Sequence, residues 1–137
     1  MNIEKTRKEL RLLRKQLTFN DQNNRTLKFG KYDQNQQFEK NKYGINEPIN
    51  PSLISIDLLD AVLFPLVGFD RNGNRIGMGG GFYDKTFEFV ATKKKHKLKL
   101  IGLGFSIQEI SNIPNRAWDL PLQYIVTEKE FICVEKK

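Results

Sequence analysis

One cysteine, one histidine and one tryptophan stand among 137 residues, and each scarcity excludes a chemistry. Cys133 has no second cysteine to pair with, which fits a reducing compartment and leads us to expect a cytoplasmic protein. No His/Cys cluster has the spacing of zinc ligands, and no Ser-His-Asp set can be assembled around the lone His96. Long apolar runs are missing too. Nothing approaches the roughly 20 residues of a bilayer-spanning helix, and the basic N-terminal residues lack the adjoining apolar stretch of a secretory leader. We therefore expect no membrane association.

What is present points to a folded domain. Hydrophobic residues make up 39% of the chain and ten are phenylalanine, which argues for a core rather than disorder. The length predicts one domain over residues 1–137. Net charge is +7 and is unevenly placed: residues 1–15 and the lysine run at 93–99 together carry all of the excess. A basic nucleic-acid-associated module is one reading of that pattern. The clusters lack interleaved aromatics for base stacking, however, and a polyanionic small molecule such as ATP uses the same field equally well.

The chain is organised around residues 69–84, which include Gly73, Gly77, Gly79, Gly80 and Gly81. An apolar run at 61–67 precedes them and a helix-compatible stretch at 85–92 follows. Strand, glycine loop and helix start, in that order, usually make an anion site. Glycines accept positive φ, so successive N–H groups can face one concavity, and a helix start adds more. Arg75 brings a full charge, and Asp84 a hard oxygen ligand suited to magnesium. Two familiar loops fail on spacing: a Walker A loop needs Gly-Lys-Ser/Thr where Gly81 is followed by Phe82-Tyr83, and Gly-x-Gly-x-x-Gly from Gly77 ends on Phe82. The alternatives left by the residues are a phosphate cradle with a metal carboxylate, or a glycine-rich hairpin with no ligand.

Phe69-Asp70, Gly73, Arg75-Ile76-Gly77, Gly79-Gly80-Gly81 and Phe82-Tyr83-Asp84-Lys85 resemble the signature of the 5-formyltetrahydrofolate cyclo-ligase (methenyltetrahydrofolate synthetase) family. Ile76, Phe82 and Lys85 stand where that signature has Leu, Tyr and Arg. The likeness extends back through Tyr43-Gly44-Ile45 and Glu47-Pro48, and forward through Leu103-Gly104-Phe105, Trp118-Asp119-Leu120-Pro121 and Thr127-Glu128. The resemblance implies a three-layer, Rossmann-like α/β domain with a mostly parallel sheet, shortened because a segment of two βα units before Tyr43 has no counterpart. It implies ATP- and Mg²⁺-dependent closure of 5-formyltetrahydrofolate to 5,10-methenyltetrahydrofolate. The formyl oxygen attacks the γ-phosphate, the N10 amine closes on the activated carbon, and ADP and phosphate leave. By the same resemblance Ile76, Gly77, Met78, Gly79, Gly80 and Gly81 hold phosphates with Arg75, and Arg7 of an N-terminal helix touches ATP. Phe82 and Tyr83 flank nucleotide and folate, and Asp84 and Asp119 retain magnesium. A compact homologue that binds ATP without folate turnover is a further reading, and a monomer and a homodimer both remain open.

In chain order, a helix is expected over residues 1–18, with Ile3, Leu10, Leu13 and Leu17 on one stripe. A polar connection of loop or marginal strand follows over 19–50, and the ATP-binding core over 51–137. Within that core we expect a buried strand at 61–64, with Pro65 marking its end or a bulge, and a small hairpin around Asn72-Gly73 presenting Arg75. Next come one helix with Phe82, Thr86, Phe89 and Val90 on a face, a buried strand within 98–105, and a short helix at 106–113. Strands at 124–126 and 131–134 complete it. Cys133 is expected as a small core residue and Trp118 as packing. Alternating strands and helices make this an α/β domain with a partly parallel sheet.

Overall fold

The computed structural model describes residues 18–21, 26–77, 80–92, 97–116 and 119–135. The expected N-terminal helix with Arg7, and likewise Met78, Gly79, His96 and Trp118, lie outside the described residues. The chain divides into two compact units, Met1–Leu58 and Leu59–Lys137.

In the first unit, β1 (Thr18–Asp21), β2 (Thr26–Gly30) and β5 (Leu53–Ile54) form an antiparallel sheet in the order β1-β2-β5. Leu27 and Phe29 of β2 are buried while Lys28 between them is exposed, the period-2 alternation of a half-buried strand. β3 (Phe38–Lys40) and β4 (Asn46–Pro48) pair as a hairpin. The region expected as a polar connection is thus strand-bearing, because its amides and carboxylates close the turns. The Asn41 side-chain oxygen accepts from the N–H groups of Tyr43 and Ile45, and Gly44 takes φ +72° in that loop. The Asp33 carboxylate accepts from Asn35 N–H. Such side-chain mimicry of a turn is what makes Asn and Asp turn residues.

The second unit holds a four-stranded sheet in the order β11-β10-β9-β6. β6 (Ala61–Pro65), β9 (Lys99–Leu103) and β10 (Tyr124–Val126) run parallel, and β11 (Phe131–Cys133) joins antiparallel. β6 ends at Pro65, as its missing N–H demands. The register aligns Phe64 with Gly102 and Gly102 with Ile125, and Ile125 with Ile132; all four are buried. β6 departs from expectation on its other face: Leu63 is 45% exposed and Ala61 is exposed. Cys133 departs likewise. It is exposed, because pairing with Tyr124 puts it on the side of β11 opposite the buried Ile132.

β7 (Gly68–Phe69) and β8 (Arg75–Ile76) form the expected hairpin. The single helix expected after it is two short ones, α1 (Phe82–Thr86) and α2 (Glu88–Thr92). The break falls at Phe87 (φ −105°, ψ 16°), whose ring is fully buried and stacks tilted against Phe64 at 5.4 Å. Burying that ring outweighs the continuity of the helix, and just before the break Thr86 donates its hydroxyl to the Phe82 carbonyl. The expected helix at 106–113 is only a 3-10 turn, Ser106–Gln108. Beyond it Glu109 bridges to Phe69, and Ile110 N–H bonds the Phe69 carbonyl at 2.8 Å, so strand-like pairing supplies the partners a helix would have supplied. With helices and a mixed, mainly parallel sheet, the architecture is α/β.

Candidate functional site

The hairpin carrying Arg75 is built on Asp70. This carboxylate is fully buried and accepts four hydrogen bonds: from the N–H groups of Asn72, Asn74 and Ile113, and from the Asn74 amide. Burial pushes its pKa up. The bonds from the Asn74 side chain and from the N–H groups of Ile113, Asn74 and Asn72 outweigh that and hold it below its ordinary value. Gly73 completes the turn at φ +84°. Its carbonyl accepts from Leu122 N–H at 2.9 Å, and a Cβ there would collide with the Leu122 backbone. The turn therefore needs glycine twice, for its dihedral and for this close approach.

At the exposed tip, Arg71 reaches Glu109 at 2.7 Å and Glu130 at 2.5 Å. Glu130, chiefly, and Glu109 hold the guanidinium more basic than usual, and Arg71 in turn holds Glu130 more acidic. At the C-terminal ends of β9 and β10, Glu128 accepts from the hydroxyl and the N–H of Ser106, the hydroxyl bond contributing most to its lowered pKa. Gln108 ties the same edge together, donating to the carbonyls of Leu66 and Val67 while accepting from Phe105 N–H. The C-terminal edge of parallel strands is where α/β sheets take their ligands.

Arg75 occupies the centre of this arrangement. Its side chain is 7% exposed, and its Cζ lies 5.1 Å from the Phe64 ring centre and 5.9 Å from that of Tyr83, cation–π distances. Phe64 and Tyr83 themselves pack at 5.0 Å. One guanidinium nitrogen, Nη2, donates to Asp84 Oδ1 at 3.0 Å, while the buried Nε has no acceptor among the described residues. Gly77 lies against Nη1, where a Cβ would come within 2.8 Å. Asp84 Oδ1 also receives Leu120 N–H at 3.5 Å, which brings the neighbour of Asp119 to Asp84. Asp119 accepts from the N–H and Nε of Arg116.

Arg75, Gly77, Tyr83 and Asp84 are thus brought together, with Asp119 one residue from the contact. Ile76 sits in the β7-β8 ladder opposite Gly68, and its carbonyl accepts from Val67 N–H. The glycines do not share one conformation. Of Gly77, Gly80 and Gly81, only Gly81 has positive φ (+68°), and it precedes α1, where Lys85 N–H bonds its carbonyl at 3.0 Å. Gly77 serves by its small size rather than by its dihedral freedom. Phe82 is half-buried, and a Cβ on Gly80 would meet its ring at 2.8 Å. Two participants were not foreseen. Phe64 read as plain core, with nothing in a single strand residue to mark it as the floor beneath Arg75. Asp70 carried a signal in the spacing Asp-x-Asn-Gly-Asn, which suits a turn closed by a carboxylate. A separate groove of about 480 Å³ in the first unit is lined mainly by polar residues such as Asn35, Gln36, Asn50 and Ser52, and contains none of the predicted site residues.

An arginine fork with an unused buried donor suits a multidentate oxyanion. Two carboxylates fall short of a complete metal cage, and no cluster of three or more His, Cys, Asp or Glu occurs among the described residues. That donor set suits magnesium, which is commonly held by one or two carboxylates together with substrate phosphates.

A mixed α/β fold with a charged loop site at its strand ends defines an α/β protein with a candidate anion site. Comparison with known proteins makes this particular. The 5-formyltetrahydrofolate cyclo-ligase family profile matches residues 5–128, and the chain belongs to that family. It is 39% identical over 98 residues to the 5-formyltetrahydrofolate cyclo-ligase of Haemophilus influenzae, covering 70% of this chain and 51% of that one. With the Escherichia coli K12 enzyme of the same name it shares 34% over 103 residues, 74% of this chain and 55% of the relative. The chain spans about half the length of these curated relatives. Its fold is similar to the NMR structure of Aquifex aeolicus 5,10-methenyltetrahydrofolate synthetase, with a TM-score of 0.69 and 25% identity, over 88% of this chain and 59% of that one.

Proposed function

We propose that this chain uses ATP and magnesium to convert 5-formyltetrahydrofolate to 5,10-methenyltetrahydrofolate, releasing ADP and phosphate. Support comes from family membership over residues 5–128 and, above all, from one observation: a clamped arginine whose buried Nε lacks an acceptor among the described residues. On this reading the three-layer, Rossmann-like form of the family is built around the parallel strands β6, β9 and β10.

The reaction needs alignment and charge stabilisation more than a protein nucleophile. Arg75 offsets charge on the transferred phosphoryl group, held in place by Phe64 beneath it and Tyr83 beside it. Gly77 lets the chain pass close to the guanidinium, and Gly80 and Gly81 allow the turn into α1. Tyr83 and Phe82 border the nucleotide and the pterin. Asp84 and Asp119 would hold the divalent ion, which when bound neutralises phosphate oxygens. Met78, Gly79 and Arg7 complete the proposed ATP contacts from outside the described residues.

The test is the appearance of methenyl-folate absorbance when the protein is mixed with magnesium, ATP and 5-formyltetrahydrofolate. Growth of that band with stoichiometric ADP is expected, and Arg75→Ala should slow it by about 10²–10³-fold. A folded protein that consumes no ATP with this folate would refute the reading.

A further inference from the structure

The partners that Arg75 and Asp84 are assigned for catalysis are not the partners they have here: each holds the other, at 3.0 Å. We propose that this ion pair is exchanged on ligand binding, polyphosphate taking Arg75 and the divalent cation taking Asp84, so that nucleotide and metal bind cooperatively. The inference rests on the nucleotide reading above and adds a coupling between nucleotide and metal.

Three observations carry it. The bond is one-toothed: Nη2 meets a single carboxylate oxygen while the buried Nε has no acceptor among the described residues. A guanidinium is a fork of five donors, and a buried donor without an acceptor is costly, so a phosphate that accepts from Nε as well as Nη satisfies Arg75 better than Asp84 does. The two partners also differ in freedom. Arg75 is 7% exposed and clamped by Phe64 and Tyr83, whereas Asp84 is 29% exposed. Asp84 is therefore the member that moves. Finally, the second bond on Asp84 Oδ1, from Leu120 N–H, is long at 3.5 Å, and gives little resistance to that movement.

Cooperativity follows by linkage. A cation that draws Asp84 away removes the competitor for Arg75, and an anion on Arg75 frees Asp84 by the same factor. Either ligand alone must break the pair without the other's help.

The experiment measures ATP affinity by calorimetry for the full chain, first in excess EDTA and then in saturating magnesium. Asp84→Asn should bind ATP about tenfold more tightly than the parent in EDTA, a typical coupling between sites, and less tightly than the parent in magnesium. In the Arg75→Met background the same substitution should change ATP affinity in EDTA by no more than about twofold, the additivity limit for residues with no shared partner. A reciprocal measurement guards against a variant that does not fold. Nucleotide-free Mn²⁺ binding, followed by electron paramagnetic resonance, should be several-fold tighter in Arg75→Met than in the parent. An equal gain from Asp84→Asn in both backgrounds would mean plain charge repulsion and overturn the exchange, as would Mn²⁺ binding indifferent to Arg75. Failure of the folded parent to bind ATP under either condition would instead bring down the nucleotide reading itself.

Discussion

The two compact units solve the same problem, ordering a polar and rather basic chain, by different means. Before residue 59 the described buried apolar side chains are Leu27, Phe29 and Pro48 alone; Tyr32, Tyr43, Ile45, Ile49, Leu53 and Leu58 are all exposed. That unit holds its shape through short antiparallel ladders and side-chain-closed turns at Asp33 and Asn41. After residue 59 the buried apolar residues run from Val62 to Ile132, and Asp70, buried with them, accepts four hydrogen bonds. Hydrogen bonds exchange water partners for protein partners at small net gain, whereas buried apolar area contributes in proportion to its extent. The second unit can therefore bear the strain of a functional site.

Four substitutions press on that contrast. Phe64→Ala should have the largest effect, lowering stability by about 3–5 kcal/mol in denaturant unfolding; a loss no larger than that of an exposed residue would show that the core does not centre on β6. Gly73→Ala comes next, at about 1–3 kcal/mol for forcing a Cβ into positive φ, compounded by its approach to Leu122. A neutral result in a thermal melt would mean that the 70–74 turn is free to rearrange.

Asp70→Asn should cost roughly 1–3 kcal/mol at neutral pH by mispairing buried donors, and it has a pH signature. The native pKa of Asp70 lies below its ordinary 3.8, so its ionised form favours the native state. Its contribution is complete above that ordinary value and is lost as pH falls through the lower native one. The gap between parent and variant, read from melting temperature, should narrow only below about pH 4; a constant gap down to pH 2 would contradict the ionised assignment. Smallest of all, Leu53→Ser on β5, 62% exposed, should fall within about 0.5 kcal/mol. A large loss there would reveal apolar packing that the first unit does not show.

How much of this was legible in the letters depended on how local each cause is. The 68–76 hairpin could be read because Asn72-Gly73 enforces a turn within itself. β6 and β9 stood out as short apolar runs of strand length. The break between α1 and α2 could not be read, since it comes from Phe87 reaching Phe64, twenty-three residues away in sequence. Exposure of Cys133 depended on register with Tyr124, which a one-residue slip would reverse. Within the candidate site the identities of Arg75 and Asp84 were visible in the signature, and their mutual bond was not. A spacing of nine residues across a glycine loop fixes no distance. The phosphate cradle was inferred from glycine's dihedral freedom, which Gly81 uses and Gly77 does not.

β6 and β9 pair side by side and parallel, and the whole of residues 66–98 forms the connection between them. The signature stretch is therefore enclosed in a loop whose ends meet only when two distant strands find each other. Pairings of this kind form slowly during folding. Arg75 and Asp84 should accordingly reach their final positions late, after the sheet has nucleated. Extra residues inserted in this connection away from the signature should be borne cheaply, since doubling a flexible loop adds only about 0.6 kcal/mol, but they should slow refolding as the closure lengthens.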